Sequence, residues 1–282
     1  MSGTIDLTLG HSPDPDDAFM FYALAKNKMD TGPYRFEHVM EDIQTLNERA
    51  TRGELDITAI SIHAYAYVLD KYALLPAGAS MGFGYGPMVV AKEKIAPADL
   101  KGMTIAIPGK MTSAYLELQL AIGQFEAVHI PFDEIIPRVS SGEFAAGLII
   151  HEGQLTYEEA GLKECINLGQ WWWETTGNKE WPLPLGGNAI HKRHGDKMKD
   201  ISDILTGSIK YSLNNRAAAL DYALGWARDM GLELADEFVG MYVNDWTLDY
   251  GDRGRASIRE LLDRGHKAGL IPAVEKLEFV EG

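Results

Sequence analysis

The chain has 282 residues and a net charge of −15, so it is long enough to bury a large core but lacks the basic surface that nucleic-acid binding requires. Its single cysteine, Cys165, excludes an internal disulfide and any cysteine-ligated zinc or iron–sulfur site. The first residues show no secretory signal pattern, and no apolar run approaches the ~20 residues of a membrane span. We therefore expect a cytoplasmic protein with no membrane, nucleic-acid or obligate protein partner.

The first 90 residues alternate between strand and helix patterns. The segments TIDLTL, YRFEHVM and LDITAIS are typical of short strands, and DDAFMFYALAKNKM and DIQTLNERATRG between them have the apolar spacing of helices. This βαβαβ order predicts parallel strands with helices on both faces of the sheet. The glycines of the next stretch, GFGYGPMVVA, come before a strand and not at the start of a helix. That order favours a crossing between lobes over a dinucleotide-binding loop.

A second α/β set follows in TIAIPGKMTSAYLELQL and AAGLIIHEG, and from Asp196 onward the pattern is helical. We predict a discontinuous lobe 1 formed by residues 1–92 and 190–282, and a lobe 2 formed by residues 93–189. This α/β layout is that of a two-lobed type II periplasmic binding protein, in which the ligand lies in a cleft between the lobes.

Three loops are expected to reach that cleft. In HSPDPDD, Asp14 and Asp16 suit the cap of a helix, and no third ligand of suitable spacing supports a metal site. In GKMTSAY, Thr112 or Ser113 is expected to cap a helix whose first amides can bind a carboxylate or phosphate. In TAISI, Ser61 ends the third strand, and a plain strand end followed by a helix is the simpler interpretation.

His151 lies where the apolar run GLII meets a glycine-containing loop. It is either a hydrogen-bonded residue at a strand end or a proton-transfer group facing the cleft, since histidine titrates near neutral pH. The run Trp171–Trp173 is expected to fill the core and not to stack on an aromatic ligand. The pair His191 and His194 in HKRH lies in a basic surface patch and lacks a third metal ligand.

Six segments in this order resemble the 1,4-dihydroxy-6-naphthoate synthase family of the futalosine route to menaquinone: HSPDPDDAFMFYAL, EDIQTLNERA, GPMVVA, IPGKMTSAY, GLIIHEGQLTY and LPLGGNAI. The resemblance covers nearly the whole chain and implies the two-lobed fold. It also implies that the enzyme, a carbon–carbon lyase, converts an anionic small molecule, cyclic dehypoxanthinyl futalosine, to 1,4-dihydroxy-6-naphthoate. No metal or organic cofactor is implied.

By the same resemblance, His151 takes the place of the family's catalytic base. The resemblance puts substrate-binding positions on Ala59, Ile60, Ser61, Ser113 and Ala114. Asp14, Thr112 and Asn188 are further candidates for lining the cleft. The chain departs from the family where Ser113 replaces a frequent threonine, which keeps the hydroxyl, and where Asp16 replaces an asparagine, which adds a charge.

Two alternatives share this fold. A solute-binding protein of a transporter would have no base in its cleft, and the lack of a signal pattern counts against it. Chorismate dehydratase is the sister enzyme of the same route, and the segment HEGQLTY favours the synthase over it.

Overall fold

The computed structural model describes residues 3–227 and 230–280. The chain forms two compact units: unit 1 comprises Met1–Ser80, Gly186–Gly251 and Val274–Gly282, and unit 2 comprises Met81–Leu185 and Asp252–Ala273. These bounds differ from the predicted lobes 1–92/190–282 and 93–189, because the chain passes between units after residues 80 and 185 and residues 252–273 belong to unit 2. Residues 228 and 229 of the predicted helical stretch, and the predicted lobe ends 1–2 and 281–282, lie outside the described residues.

The strands are distributed over two sheets. Their bounds are β1 (Ile5–His11), β2 (Tyr34–Met40), β3 (Ile57–Ser61), β4 (Tyr72–Leu74), β5 (Ser80–Gly82), β6 (Met88–Ala91), β7 (Thr104–Ile107), β8 (Glu126–His129), β9 (Ala146–Ile149), β10 (Lys163–Asn167) and β11 (Leu183–His191). The first sheet has the order β2-β1-β3-β11-β4, with β5 paired to β11, and the second has the order β10-β6-β9-β7-β8.

The helices are mostly short in the first half of the chain and longer towards its end. Their bounds are α1 (Pro15–Met20), α2 (Tyr22–Ala25), α3 (Ile43–Arg52), α4 (Ile62–Tyr65), α5 (Pro97–Leu100), α6 (Ser113–Ile122), α7 (Ile135–Ser141), α8 (Gly153–Thr156), α9 (Leu168–Thr176), α10 (Met198–Asn214), α11 (Arg216–Ala223), α12 (Leu232–Tyr242), α13 (Asp245–Leu248) and α14 (Gly251–Lys267). Among the described residues, none of these helices has the length and apolar character needed to span a membrane.

The βαβαβ prediction for unit 1 is confirmed. Strand β1 pairs in parallel with β2 and β3, while β11 runs antiparallel to β3 and β4. Helix α3 begins after Asp42, whose carboxylate accepts from the Thr45 amide at 3.0 Å, and it ends at Gly53 in the left-handed conformation with a φ of 68°. A polar cap and a terminal glycine are the signals that set both ends of this helix.

The predicted helix DDAFMFYALAKNKM is interrupted. Phe21, with φ −101° and ψ 11°, separates α1 from α2. The Phe21 ring is fully buried and lies 5.2 Å from the His11 ring, centre to centre. The break therefore coincides with a residue whose side chain is fixed in the core of unit 1.

In unit 2, the glycine-rich segment is not one strand. Only Met88–Ala91 forms β6, and the preceding glycines allow the backbone to approach helix α9. A Cβ atom on Gly169 would lie 2.2 Å from the carbonyl oxygen of Tyr85, and Gly84 has a φ of +79° beside Trp173. These glycines permit close packing, and the prediction that they come before the strand agrees with the start of β6 at Met88.

The tryptophan run contributes to the core of unit 2. Trp172 is fully buried, and its indole N–H donates to the Ser257 hydroxyl of α14 at 3.0 Å. The expectation of a core role is confirmed for this residue. Trp173 donates to the carbonyl of Trp181 at 3.0 Å and packs edge-on against Phe83.

The HKRH segment is not simply a basic surface patch. His194 Nε2 lies 2.9 Å from Asp56 Oδ1, and Arg193 forms an ion pair with the same carboxylate at 3.0 Å. The other oxygen of Asp56 accepts from the amide and the hydroxyl of Thr8 at 2.9 and 2.8 Å. Burial alone would raise the pKa of Asp56, but the bonds from His194 and Thr8 outweigh it and hold this pKa well below its usual range.

Replacing Asp56 with asparagine is expected to lower the free energy of unfolding by about 1–3 kcal/mol at pH 7, because hydrogen bonds to a charged group are lost. Since the folded-state pKa is depressed, the wild-type advantage is present above the ordinary carboxyl pKa of ~4 and shrinks as pH falls below it. Denaturant unfolding of both proteins at pH 7 and pH 3 measures this. Asp6→Asn, which breaks only the exposed pair with Arg35, is the control. An equal loss at both pH values would contradict the charge-based explanation.

Candidate active site

In unit 1, the loop after β1 is held by its own carboxylates. Asp14 is the N-cap of α1 and accepts from the Asp17 amide, and Asp17 in turn accepts from the Ser12 amide at 2.6 Å. Asp14, Asp16 and Asp17 are all buried. The predicted capping role is confirmed for Asp14.

The ionisation of Asp17 is altered by this environment. Burial raises the pKa of Asp17 to about 6, although the hydrogen bond from Ser12 works in the opposite direction. Near neutral pH the carboxylate form therefore still accepts from Ser12, and the loop retains a buried negative charge at the start of α1, where the helix dipole favours it.

The predicted segment Ala59–Ser61 lies in unit 1 at the end of β3. Ser61 occupies the N-cap position of α4 but makes no side-chain cap bond. Instead, Asn47 donates to the Ser61 hydroxyl at 2.9 Å and accepts from the Ser61 amide at 2.9 Å. This double contact fixes the strand end from the side of α3.

Asn47 was not predicted. It is fully buried on the side of α3 that packs on the sheet, within the same helical turns as Ile43, Leu46 and Ala50. An asparagine on an otherwise apolar helix face is a signal that the sequence did contain, because a buried amide must find hydrogen-bond partners.

Asn188 lies beside the Ala59–Ser61 segment. It pairs with Ala59 in the register of β11 and β3, and its amide nitrogen donates to the carbonyl of Gly78 at 3.2 Å. Its side-chain oxygen is buried and has no hydrogen-bond partner among the described residues. Unit 1 thus brings together Ala59, Ser61 and Asn188, all buried, on neighbouring strands.

In unit 2, helix α6 begins as predicted at the GKMTSAY turn. Thr112 is the N-cap: its hydroxyl accepts from the Tyr115 amide at 3.2 Å and donates to the Gly109 carbonyl at 2.9 Å. The Ser113 hydroxyl donates to the carbonyl of Leu185. Ser113 and Ala114 supply the first amides of the helix, which have no carbonyl of their own helix to bond and can face an anion.

His151 lies two residues beyond the end of β9 in unit 2 and is half-buried. Its ring meets the edge of Phe132 with centroids 4.9 Å apart, and its carbonyl accepts from the Gln154 amide at 3.2 Å. The position just past a strand end agrees with the sequence-based prediction.

The glycine that follows His151 in the sequence, Gly153, does not make the turn at this position. His151 itself has a left-handed φ of 53°, whereas Gly153 is the first residue of helix α8. A left-handed conformation is uncommon outside glycine, and such conformations concentrate at functional sites because the surrounding structure must hold them. This feature was not visible from the sequence.

The family model described as menaquinone biosynthesis matches residues 7–267. The chain belongs to the menaquinone biosynthesis family. Two curated relatives are named 1,4-dihydroxy-6-naphthoate synthase. The protein from Thermus thermophilus is 38% identical over 275 residues, covering 97% of this chain and 99% of the relative. The protein from Streptomyces coelicolor is 38% identical, covering 95% of each chain. The predicted family resemblance is confirmed.

Two solved structures have a fold similar to that of this member of the menaquinone biosynthesis family. The crystal structure of protein AF1704 from Archaeoglobus fulgidus is 44% identical with a TM-score of 0.90, covering 94% of this chain and 98% of that one. A Candida albicans protein described as having the generic periplasmic binding protein fold has a TM-score of 0.71 at 15% identity, covering 98% of each chain. At that identity the likeness shows the fold alone, and the predicted fold class is confirmed.

Proposed function

We propose that this chain acts as a 1,4-dihydroxy-6-naphthoate synthase in the cytoplasm, as a carbon–carbon lyase that converts cyclic dehypoxanthinyl futalosine to 1,4-dihydroxy-6-naphthoate. The observation that carries the proposal is the full-length match, at 38% identity, to two curated proteins of that name. The sequence segments that carry the family resemblance include His151 and the start of helix α6 described above.

In this proposal His151 is the general base. Deprotonation of the substrate starts the carbon–carbon cleavage, and aromatisation of the product supplies much of the driving force. A histidine suits this step because its neutral ring accepts a proton near physiological pH. The left-handed backbone and the edge contact with Phe132 support the role, since both restrict where the ring can point.

The proposed substrate is an anion, and helix α6 supplies its binding site. The first amides of this helix, at Ser113 and Ala114, carry the positive end of the helix dipole. The overall charge of −15 does not oppose this, because the interaction with these amides is local.

Replacing Ser113 with alanine is expected to raise KM about three- to tenfold and to leave kcat nearly unchanged. The variant loses the bond from the hydroxyl to Leu185, so the amides of α6 are held less firmly, but this contact is the same in the ground and transition states. Steady-state kinetics measure both constants, and Ser113→Thr, which keeps the hydroxyl, is the matched control. A variant with unchanged KM and lowered kcat would contradict the binding role.

The function is tested by incubating the purified protein with the cyclic futalosine derivative and following the naphthoate by mass spectrometry. Catalytic turnover is expected. Binding without product would indicate a solute-binding protein, and turnover of chorismate alone would indicate the dehydratase. Either outcome would overturn the proposal.

A further inference from the structure

Two histidines lie together at the carboxyl ends of β1 and β2 in unit 1, outside the residues discussed so far as base or anion site. His11 Nε2 lies 2.9 Å from His38 Nδ1, and His11 Nδ1 lies 3.1 Å from the carbonyl oxygen of Ser12. His11 is 3% exposed and packs against the buried ring of Phe21. The two rings meet edge to face.

Both rings are uncharged at neutral pH. Burial lowers the pKa of His11 to about 4, with the bond to Ser12 opposing the shift. Burial also lowers the pKa of His38 to about 4, and the nearness of His11 adds to the effect. Each ring therefore carries one proton on one of its two nitrogens.

The hydrogen bonds then determine which nitrogen carries each proton. A carbonyl oxygen only accepts, so His11 Nδ1 must be the donor to Ser12. The Nε2 atom of the neutral His11 is consequently an acceptor, and His38 Nδ1 must donate to it. His38 Nε2 is left as an acceptor, and this atom is buried with no hydrogen-bond partner among the described residues. Both rings are thus in the Nδ1–H form, the minor form of neutral histidine in water.

The Ser12 peptide is held at both of its polar atoms. Its amide donates to Asp17 Oδ2 at 2.6 Å, and its carbonyl accepts from His11. One chain of hydrogen bonds therefore runs from Asp17 in α1 through Ser12 and His11 to His38 in β2. The loop that it encloses carries Asp14, which the sequence analysis placed among the cleft-lining candidates.

We propose that His11 and His38 are positioning residues, which hold the Ser12–Asp17 loop in the conformation that turnover requires. The effect on turnover rests on the proposed function, whereas the conformation of the Ser12–Asp17 loop can be measured without substrate. The two histidines act through Ser12, and His38 acts through His11.

Two substitutions of His38 separate hydrogen bonding from packing. His38→Phe keeps a ring of similar size but removes the donor to His11. His38→Asn places an amide N–H where Nδ1 stands and so keeps that donor. In His38→Phe we expect amide hydrogen exchange at Ser12 to become at least ~10-fold faster and kcat/KM to fall about tenfold, while His38→Asn stays within about threefold of the wild type in both.

The tautomers provide a spectroscopic test on the wild-type protein. Long-range ¹H–¹⁵N correlations at pH 7 should show two histidines protonated at Nδ1 and not at Nε2. Assignment of either His11 or His38 as the Nε2–H form, or as charged, would overturn the proposal even if the phenylalanine variant failed to fold. Equal losses in the two His38 variants, or unchanged Ser12 exchange in His38→Phe, would overturn it as well. If the wild type forms no naphthoate, the proposed synthase function is wrong. The amide-exchange and tautomer results still decide whether His11 and His38 hold the loop.

Discussion

Replacing His151 with asparagine should lower kcat at least ~100-fold without unfolding the protein, because the loss of a positioned acid–base group typically costs ~10²- to 10⁴-fold in rate. Asparagine retains polarity and cannot act as a base near neutral pH. It is also one of the few residues that tolerate the left-handed conformation, and His151 has a φ of 53°. The substitution therefore removes the proton acceptor and leaves the backbone turn intact.

The measurement is kcat per folded enzyme, taken together with the thermal midpoint. His151→Ala is a poorer variant, since alanine adopts a left-handed conformation less readily than histidine or asparagine. His129→Asn is the matched control, because His129 is an exposed histidine at the end of β8 in the same unit. If His151 served only to end a strand, the asparagine variant would be unstable with near-normal kcat. A stable variant with wild-type kcat would remove His151 from the mechanism.

Replacing Trp172 with alanine should lower the free energy of unfolding by about 3–5 kcal/mol, the largest stability effect that we expect for a single residue of unit 2. Trp172 is fully buried, and its indole N–H is bonded to Ser257 of α14. The substitution opens a cavity and removes the hydrogen bond from Trp172 to Ser257 of α14. Arg264 also lies over the Trp172 ring, with its guanidinium 5.4 Å from the ring centre.

Denaturant unfolding compares this variant with Trp171→Ala. Trp171 is the adjacent residue in sequence and is only half-buried, so its replacement should cost clearly less. Equal losses for the two would show that the run acts as a unit and that burial of Trp172 is not the decisive feature. A small loss at Trp172 together with weakened substrate binding would instead favour the ligand-stacking interpretation.

Much of the fold follows from local sequence signals. The parallel strands β1, β2 and β3 were predicted because three short strand-like segments alternate with two segments that have the apolar spacing of helices. The break at Phe21 and the assignment of residues 252–273 to unit 2 depend on which surfaces pack together. Helical periodicity predicts that one face of a helix is buried, but it does not predict which element that face packs against.

Among the residues of the candidate site, too, some features could be predicted from local sequence signals and others could not. Thr112 as a helix cap, and His151 just beyond a strand, follow from turn chemistry and apolar patterning. The clamp on Ser61 by Asn47 and the pairing of His11 with His38 join residues 14 and 27 positions apart. No spacing rule links such distant residues, so only the structure could pair them.

The discontinuity of the two units has a consequence for synthesis on the ribosome. Strand β4 of unit 1 receives its last partners from the end of the chain, where Leu74 donates to the Glu278 carbonyl at 2.9 Å and accepts from Val280 at 2.8 Å. The core of unit 2 likewise requires α14, because the Ser257 hydroxyl of that helix accepts a hydrogen bond from Trp172. Neither unit can complete its core while α14 and residues 278–280 are still inside the exit tunnel. Native folding should therefore finish only after these residues have emerged, and a nascent chain stalled before α14 should stay sensitive to protease.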